Sequence, residues 1–178
     1  MQNQISLDLE LLEQASWGYA FGLQVSNHSD NAIFVPTLEI TDLKFVPVEI
    51  TKPRDWCTHM MVSGESGGSA IEPGCAKVFQ FRVRPCSIDA DIVPVENDWE
   101  YGRWCLNLIQ GEYRVWYDLT VDETYFNPDS HLRYDNIRRM ASECGAIMWC
   151  GTVRSNILNV YHAEQNVGPK PPAVRSQL

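Results

Sequence analysis

The stretch Gly111-Glu112-Tyr113-Arg114-Val115-Trp116-Tyr117-Asp118-Leu119-Thr120 decides the reading of this chain. A turn residue, Gly111, leads into strict alternation. Tyr113, Val115, Tyr117 and Leu119 point one way, and Arg114, Trp116, Asp118 and Thr120 point the other. A period of two with one apolar side is the signature of a strand that lies on a core.

The same rhythm recurs on both sides of this stretch. Ile5, Leu7, Leu9 and Leu11 alternate with polar residues and predict an opening strand. Trp17, Tyr19, Phe21, Leu23 and Val25 predict a second. Gly18, Ala20 and Gly22 leave its other side small, which implies a close approach or a bend. Asn27-His28-Ser29-Asp30-Asn31 is a cluster of turn formers, and Ala32 to Val35 restarts a strand. Leu38 to Ile50 holds two short apolar runs about Thr41-Asp42, with Pro47 marking an edge strand.

Pro53 to Ala70, rich in Ser and Gly, reads as a flexible connection. Glu72-Pro73-Gly74 is a turn. It opens a strand in which Cys75, Lys77, Phe79, Phe81 and Val83 share a face. Ser87 to Tyr101 is an acidic loop, and Trp104 to Ile109 is a short run expected to pair locally.

Beyond Asp122 the rhythm changes. Pro128-Asp129-Ser130 reads as a helix start with Asp129 or Ser130 as N-cap. Leu132, Asn136, Ile137, Met140, Ala141 and Cys144 fall on one helical face, with Gly145 as C′ residue. Ile147 to His162 reads as a last strand interrupted at Gly151.

Many short strands with turns between them and one helix predict an all-β chain, an antiparallel β-sandwich. A lipocalin-like barrel is the structural alternative. The domain expected is 1–164, with a helical insertion at about 122–145 before the last strand. Residues 165–178, with Pro169, Pro171 and Pro172, are expected to be a disordered tail.

Three features resemble immunoglobulin-like domains, bacterial ones in particular. Gly111-x-Tyr113 resembles a tyrosine corner, with Val115 where antibody domains carry a cysteine; no intersheet disulfide is implied. Glu72-Pro73-Gly74 followed by Phe79-x-Phe81-x-Val83 resembles the turn and strand before that corner. Trp149-x-Gly151-x-Val153-x-Ser155-Asn156 resembles a final strand. The resemblance implies an immunoglobulin-like sandwich that works by binding, at its loops or a sheet face.

Charge narrows the partners. The chain carries 23 acidic against 14 basic residues, a net −9. That argues against nucleic-acid binding, which needs a cationic surface, and against docking on anionic lipid. It suits a cationic protein partner. Met1 to Leu12, with Asp8 and Glu10, does not read as a signal peptide. The expected location is cytoplasmic, where the six cysteines would be mostly buried thiols.

Two segments stand out as partner-binding candidates. Asp89, Asp91, Glu96, Asp98 and Glu100 lie beside Trp99, Tyr101 and Trp104. Charge speeds encounter with a basic protein, and buried rings hold it. The second is the helical insertion, with Tyr125, Phe126, His131, Arg133 and Tyr134. The bland alternatives are a solvated loop and a helix that only caps the sandwich.

No calcium-loop spacing is present around the acidic residues, and Cys57-Thr58-His59 with Cys144 and Cys150 lacks the paired spacing of a closed zinc site. No nucleophile elbow or phosphate loop is found, and four histidines are a small supply of general bases. The expectation is therefore a non-enzymatic binding protein without metal or cofactor, an inhibitor or immunity-type protein masking a cationic partner. The alternatives are an adaptor or assembly subunit using an edge strand, and an enzyme or metal-binding protein using Cys57, His59, His131 and Cys144.

Overall fold

In a computed structural model, residues 4–15, 18–50, 52–60, 67–83, 103–122 and 131–163 are described. The strands are β1 (Ile5–Ala15), β2 (Gly18–Asn27), β3 (Ile33–Pro36), β4 (Leu43–Pro47), β5 (Trp56–Met60) and β6 (Gly68–Ile71). They continue as β7 (Ala76–Val83), β8 (Arg103–Leu106), β9 (Gly111–Val121), β10 (Ile147–Met148), β11 (Gly151–Arg154) and β12 (Leu158–His162). One helix, α1 (His131–Glu143), and a 3-10 turn, Ile40–Asp42, complete the described residues. The chain is mostly β, as its alternation predicts.

One sheet has the order β1-β2-β7, antiparallel throughout, with Leu9 opposite Leu23 and Leu23 opposite Phe79. The second is built on β9. Along one side of β9 runs β4, with Phe45 opposite Val115. Along the other side run β11 at the far half and β12 at the near half, both antiparallel. The apolar side of β9 explains this position: Tyr113, Val115, Tyr117, Leu119 and Val121 are all buried. They share one core with Phe45 of the neighbouring β4 and with Leu7, Leu9, Phe21, Leu23, Val25, Phe81 and Val83 of the facing sheet. Phe81 stacks on Tyr117 at 5.4 Å, and the Phe45 ring meets Phe21 edge-on at 5.8 Å. Such offset and edge-to-face pairs add to the burial of ring area.

The corner at Tyr113 is fixed by its hydroxyl. It donates to the Ile109 carbonyl at 2.9 Å and accepts from the Ile109 N–H at 3.0 Å. The Asn27 cluster also forms its turn. Asn27 is buried; its carboxamide donates to the carbonyls of Asn31 and Ile71 and accepts from the Ser29 N–H and hydroxyl.

Several expectations need correction. Pro53 to Ala70 is not only a flexible connection, because it contains β5 and most of β6. Gly68 is there for space: a Cβ would lie 2.3 Å from the Phe34 ring and 2.6 Å from the Val35 carbonyl, where β6 pairs with β3. The run at Trp104 pairs with distant β5 rather than locally. The last strand is three pieces, and β10 pairs in parallel with β3. The small side of β2 is approached by a side chain: Leu12, at a bulge in β1, lies over Gly22.

The helix falls where predicted, and Gly145 ends it with φ 66°. The Ala146 N–H reaches the Ala141 carbonyl and the Gly145 N–H reaches the Ser142 carbonyl, the two bonds of a Schellman cap. Its buried side is narrower than the spacing suggested. Ile137 and Ala141 are buried with Phe34 and Ala146, but Asn136 and Cys144 are exposed.

Candidate functional site

Most of the partner-binding residues read from the sequence lie outside the described residues. These are Asp89, Asp91, Glu96, Asp98, Trp99, Glu100, Tyr101, Tyr125 and Phe126. His131, Arg133 and Tyr134 fall in the first turns of α1, with side chains outside the description. The described stems show where two of these segments begin. The acidic segment leaves β7 at Val83, opposite Tyr19, which bonds His162 near the start of β9. The helical segment leaves the far end of β9, where Val121 faces Gly151.

What the structure does assemble is the outer side of β9. The register of β9 with β11 sets Asp118 opposite Arg154 and Thr120 opposite Thr152. Arg154 grips the Asp118 carboxylate with Nε at 2.6 Å and Nη2 at 3.0 Å. The Trp116 indole N–H donates to the same carboxylate at 2.8 Å. The Arg154 guanidinium also lies over the Trp116 ring, 4.9 Å from its centroid. A fork-shaped cation is suited to both contacts at once, since it offers parallel donors in its plane and charge on its face. The hydrogen bond to Asp118 raises the Arg154 pKa further. The three side chains thus hold one another in place on a solvent-facing sheet.

Beside them, β4 sets Lys44 opposite Trp116. The Lys44 ammonium donates to the Thr41 carbonyl at 2.7 Å and stands 3.8 Å from Asp42. Burial pushes the Asp42 carboxyl up to about 6, and the charges of Glu39 and Asp118 push the same way while Lys44 opposes them. A carboxyl held this high reports a partly desolvated spot, where burial outweighs the stabilising charge of Lys44. Arg114, on the same side, has a buried Nε without a hydrogen-bond partner among the described residues.

Sequence alone identified Trp116 and Asp118 as outward-facing but missed Asp42, Lys44 and Arg154. The signal that finds them is register, which depends on strand pairings across 36 to 72 positions.

Among the described residues no three His, Cys, Asp or Glu side chains converge as metal ligands. Cys75, Cys144 and Cys150 are exposed, against the expectation of buried thiols. No helix among the described residues is long and apolar enough to cross a membrane.

Comparison with known proteins returns nothing. No family model matches the chain, no curated protein matches it, and no solved structure matches it.

Proposed function

We propose that this chain is an immunoglobulin-like β-sandwich that acts by binding, as an inhibitor or immunity-type protein masking a cationic protein partner. The strand order supports the fold. β1-β2-β7 facing β4-β9-β11/β12 follows the first-second-fifth and third-sixth-seventh arrangement of immunoglobulin-like sheets, with β3, β5, β6, β8 and β10 as additions. Tyr113 sits at the start of β9, the sixth strand in that order, and bonds backwards to Ile109 as a tyrosine corner does.

The observation that carries the binding role is the outer side of β9. Trp116, Asp118 and Arg154 are pre-ordered there by mutual contacts, next to the partly desolvated carboxyl of Asp42. Ordered Trp and Arg lose little freedom on docking, which favours them as binding anchors. The net charge of −9 gives a field that draws in a basic surface. Asp89, Asp91, Glu96, Asp98 and Glu100 add to that field, with Trp99 and Tyr101 as further anchors. The partner is met in a soluble, cytoplasmic setting and without metal or cofactor.

The edge-strand alternative has less to stand on. The outward carbonyls of β4 are already taken, Leu43 by the Trp56 indole N–H at 2.9 Å and Phe45 by the Arg54 N–H at 2.8 Å. A strand added there would have to displace both.

The test is retention of basic proteins on the immobilised chain at low salt and at about 0.5 M salt, where screening reaches a few ångströms. The reading expects a basic protein held at low salt and released at high salt. Absence of any such protein at low salt would sink it.

A further inference from the structure

The three side chains on the outer side of β9 are not equals. Trp116 and Asp118 belong to the central strand and are partly buried, whereas Arg154 reaches them from β11 with its side chain 56% exposed. Trp116 and Asp118 also hold each other directly, through the indole N–H on Asp118 Oδ2. Arg154 adds to that pair. Among the described residues its guanidinium contacts are with these two: Nε on Oδ1, Nη2 on Oδ2, and its charge over the indole face.

Trp116 and Asp118 therefore form a seat shaped for a guanidinium. The carboxylate offers two oxygens to two parallel N–H groups, and the ring offers its electron-rich face to the charge. A compact ammonium lacks the planar fork that makes both contacts at once, so the seat favours arginine over lysine. The occupant here is the chain's own, and it is held loosely. An ion pair and a cation–π contact at an exposed position each contribute little, and ordering a long side chain opposes both. The main-chain ladder of β11 with β9 is the same whether or not that side chain is seated.

We propose that this seat takes an arginine side chain of the cationic partner, and that Arg154 is an internal stand-in which the partner's arginine displaces. The proposal rests on the reading of this face as the surface that meets a cationic protein, and it names the side chain recognised there. Exchange of like for like conserves every contact of the seat, and the released Arg154 regains its freedom in water. Lys44, the cation opposite Trp116, is already engaged by the Thr41 carbonyl and Asp42. Before docking, Arg154 keeps Trp116 and Asp118 in place; on docking it yields to the partner.

The experiment uses the full chain, isotope-labelled, as parent and as Arg154→Ala. Each is titrated with acetyl-Gly-Arg-Gly-amide and with its lysine and citrulline counterparts, and the Trp116 indole N–H signal is followed. A seat that its own arginine leaves free about one-tenth of the time binds about tenfold more weakly than an empty one. Arg154→Ala is therefore expected to bind the arginine peptide at least about tenfold more tightly than the parent, the lysine peptide more weakly, and the neutral citrulline peptide not at all. Adding Asp118→Asn should abolish the response. Arg154→Gln, which keeps the stem on β11, gives the same comparison if the alanine variant folds poorly. Equal affinity in parent and variant, or equal response to arginine and citrulline, would overturn the proposal. Retention of a basic protein by the parent without arginine binding by Arg154→Ala would overturn the seat alone. Arginine binding by the variant without retention of any basic protein would support the seat and remove the masking role.

Discussion

The carboxamide of Asn156 closes on the backbone of Leu9 from both ends. Its Oδ1 accepts from the Leu9 N–H at 2.6 Å and its Nδ2 donates to the Leu9 carbonyl at 2.9 Å. Leu9 lies in the middle of β1, which among the described strands pairs with β2 alone. Asn156 lies in the break between β11 and β12, where Ser155 keeps the ladder through its hydroxyl and N–H to Tyr117. One side chain therefore substitutes for a strand and ties the two sheets together. Asn156→Ala leaves two backbone groups without partners and should cost about 1–3 kcal/mol. Asn156→Asp should cost a similar amount, because a carboxylate cannot donate to the Leu9 carbonyl. Urea unfolding of both variants checks this; a midpoint unchanged in both would show that water replaces the carboxamide freely.

Tyr113→Phe removes the hydroxyl that serves both groups of Ile109. The ring stays in the core, so the loss isolates the hydrogen bonds. We expect a loss of about 1–3 kcal/mol, read as a lower melting temperature with an unchanged circular dichroism spectrum.

Asp42 makes stability depend on pH in a particular sense. Its folded pKa of about 6 lies above the ordinary value of 3.8. The folded state therefore holds the proton more tightly, and Asp42 favours folding below pH 4. That contribution is lost as pH rises through 6. Asp42→Asn should gain stability relative to the parent between pH 4 and 7 and show no gain at pH 4. Denaturant midpoints at both pH values measure the difference; a constant offset would contradict the assignment.

The buried Tyr19 hydroxyl lies 2.6 Å from His162 Nδ1, and each group is held uncharged by burial. Tyr19 is pushed up to about 12, so its contribution is present below pH 10 and lost as pH rises through 12. His162 is pushed down, so its contribution is present above pH 6.5 and lost on acidification. Spectrophotometric titration should show a late-ionising tyrosine that is absent in Tyr19→Phe. A curve identical in the variant would contradict the burial of this pair.

The strands β1, β7 and β9 were legible because each buries one side only, and β2 because its large apolar residues alternate with small ones, although Leu12 covers Gly22 on its other side. Alternation weakens where a strand is short or nearly all buried, as at β3, and where Ser and Gly dominate, as at β6. Gly68 reads as flexibility in sequence, yet close approach of Phe34 requires it. The outer side of β9 was half legible. Trp116 and Asp118 declare themselves by period, but Arg154 becomes their partner only through the pairing of β9 with β11.

The most direct test of the binding account compares three immobilised proteins at low salt in one cell extract. The first is the parent. In the second, Trp116→Ala and Asp118→Asn dismantle the outer side of β9. In the third, Asp89, Asp91, Asp98 are changed to Asn and Glu96 and Glu100 to Gln. The account predicts one basic protein held by the parent, released at about 0.5 M salt, and lost from both variants at unchanged fold. Equal retention on all three, or no basic protein on the parent, would contradict it.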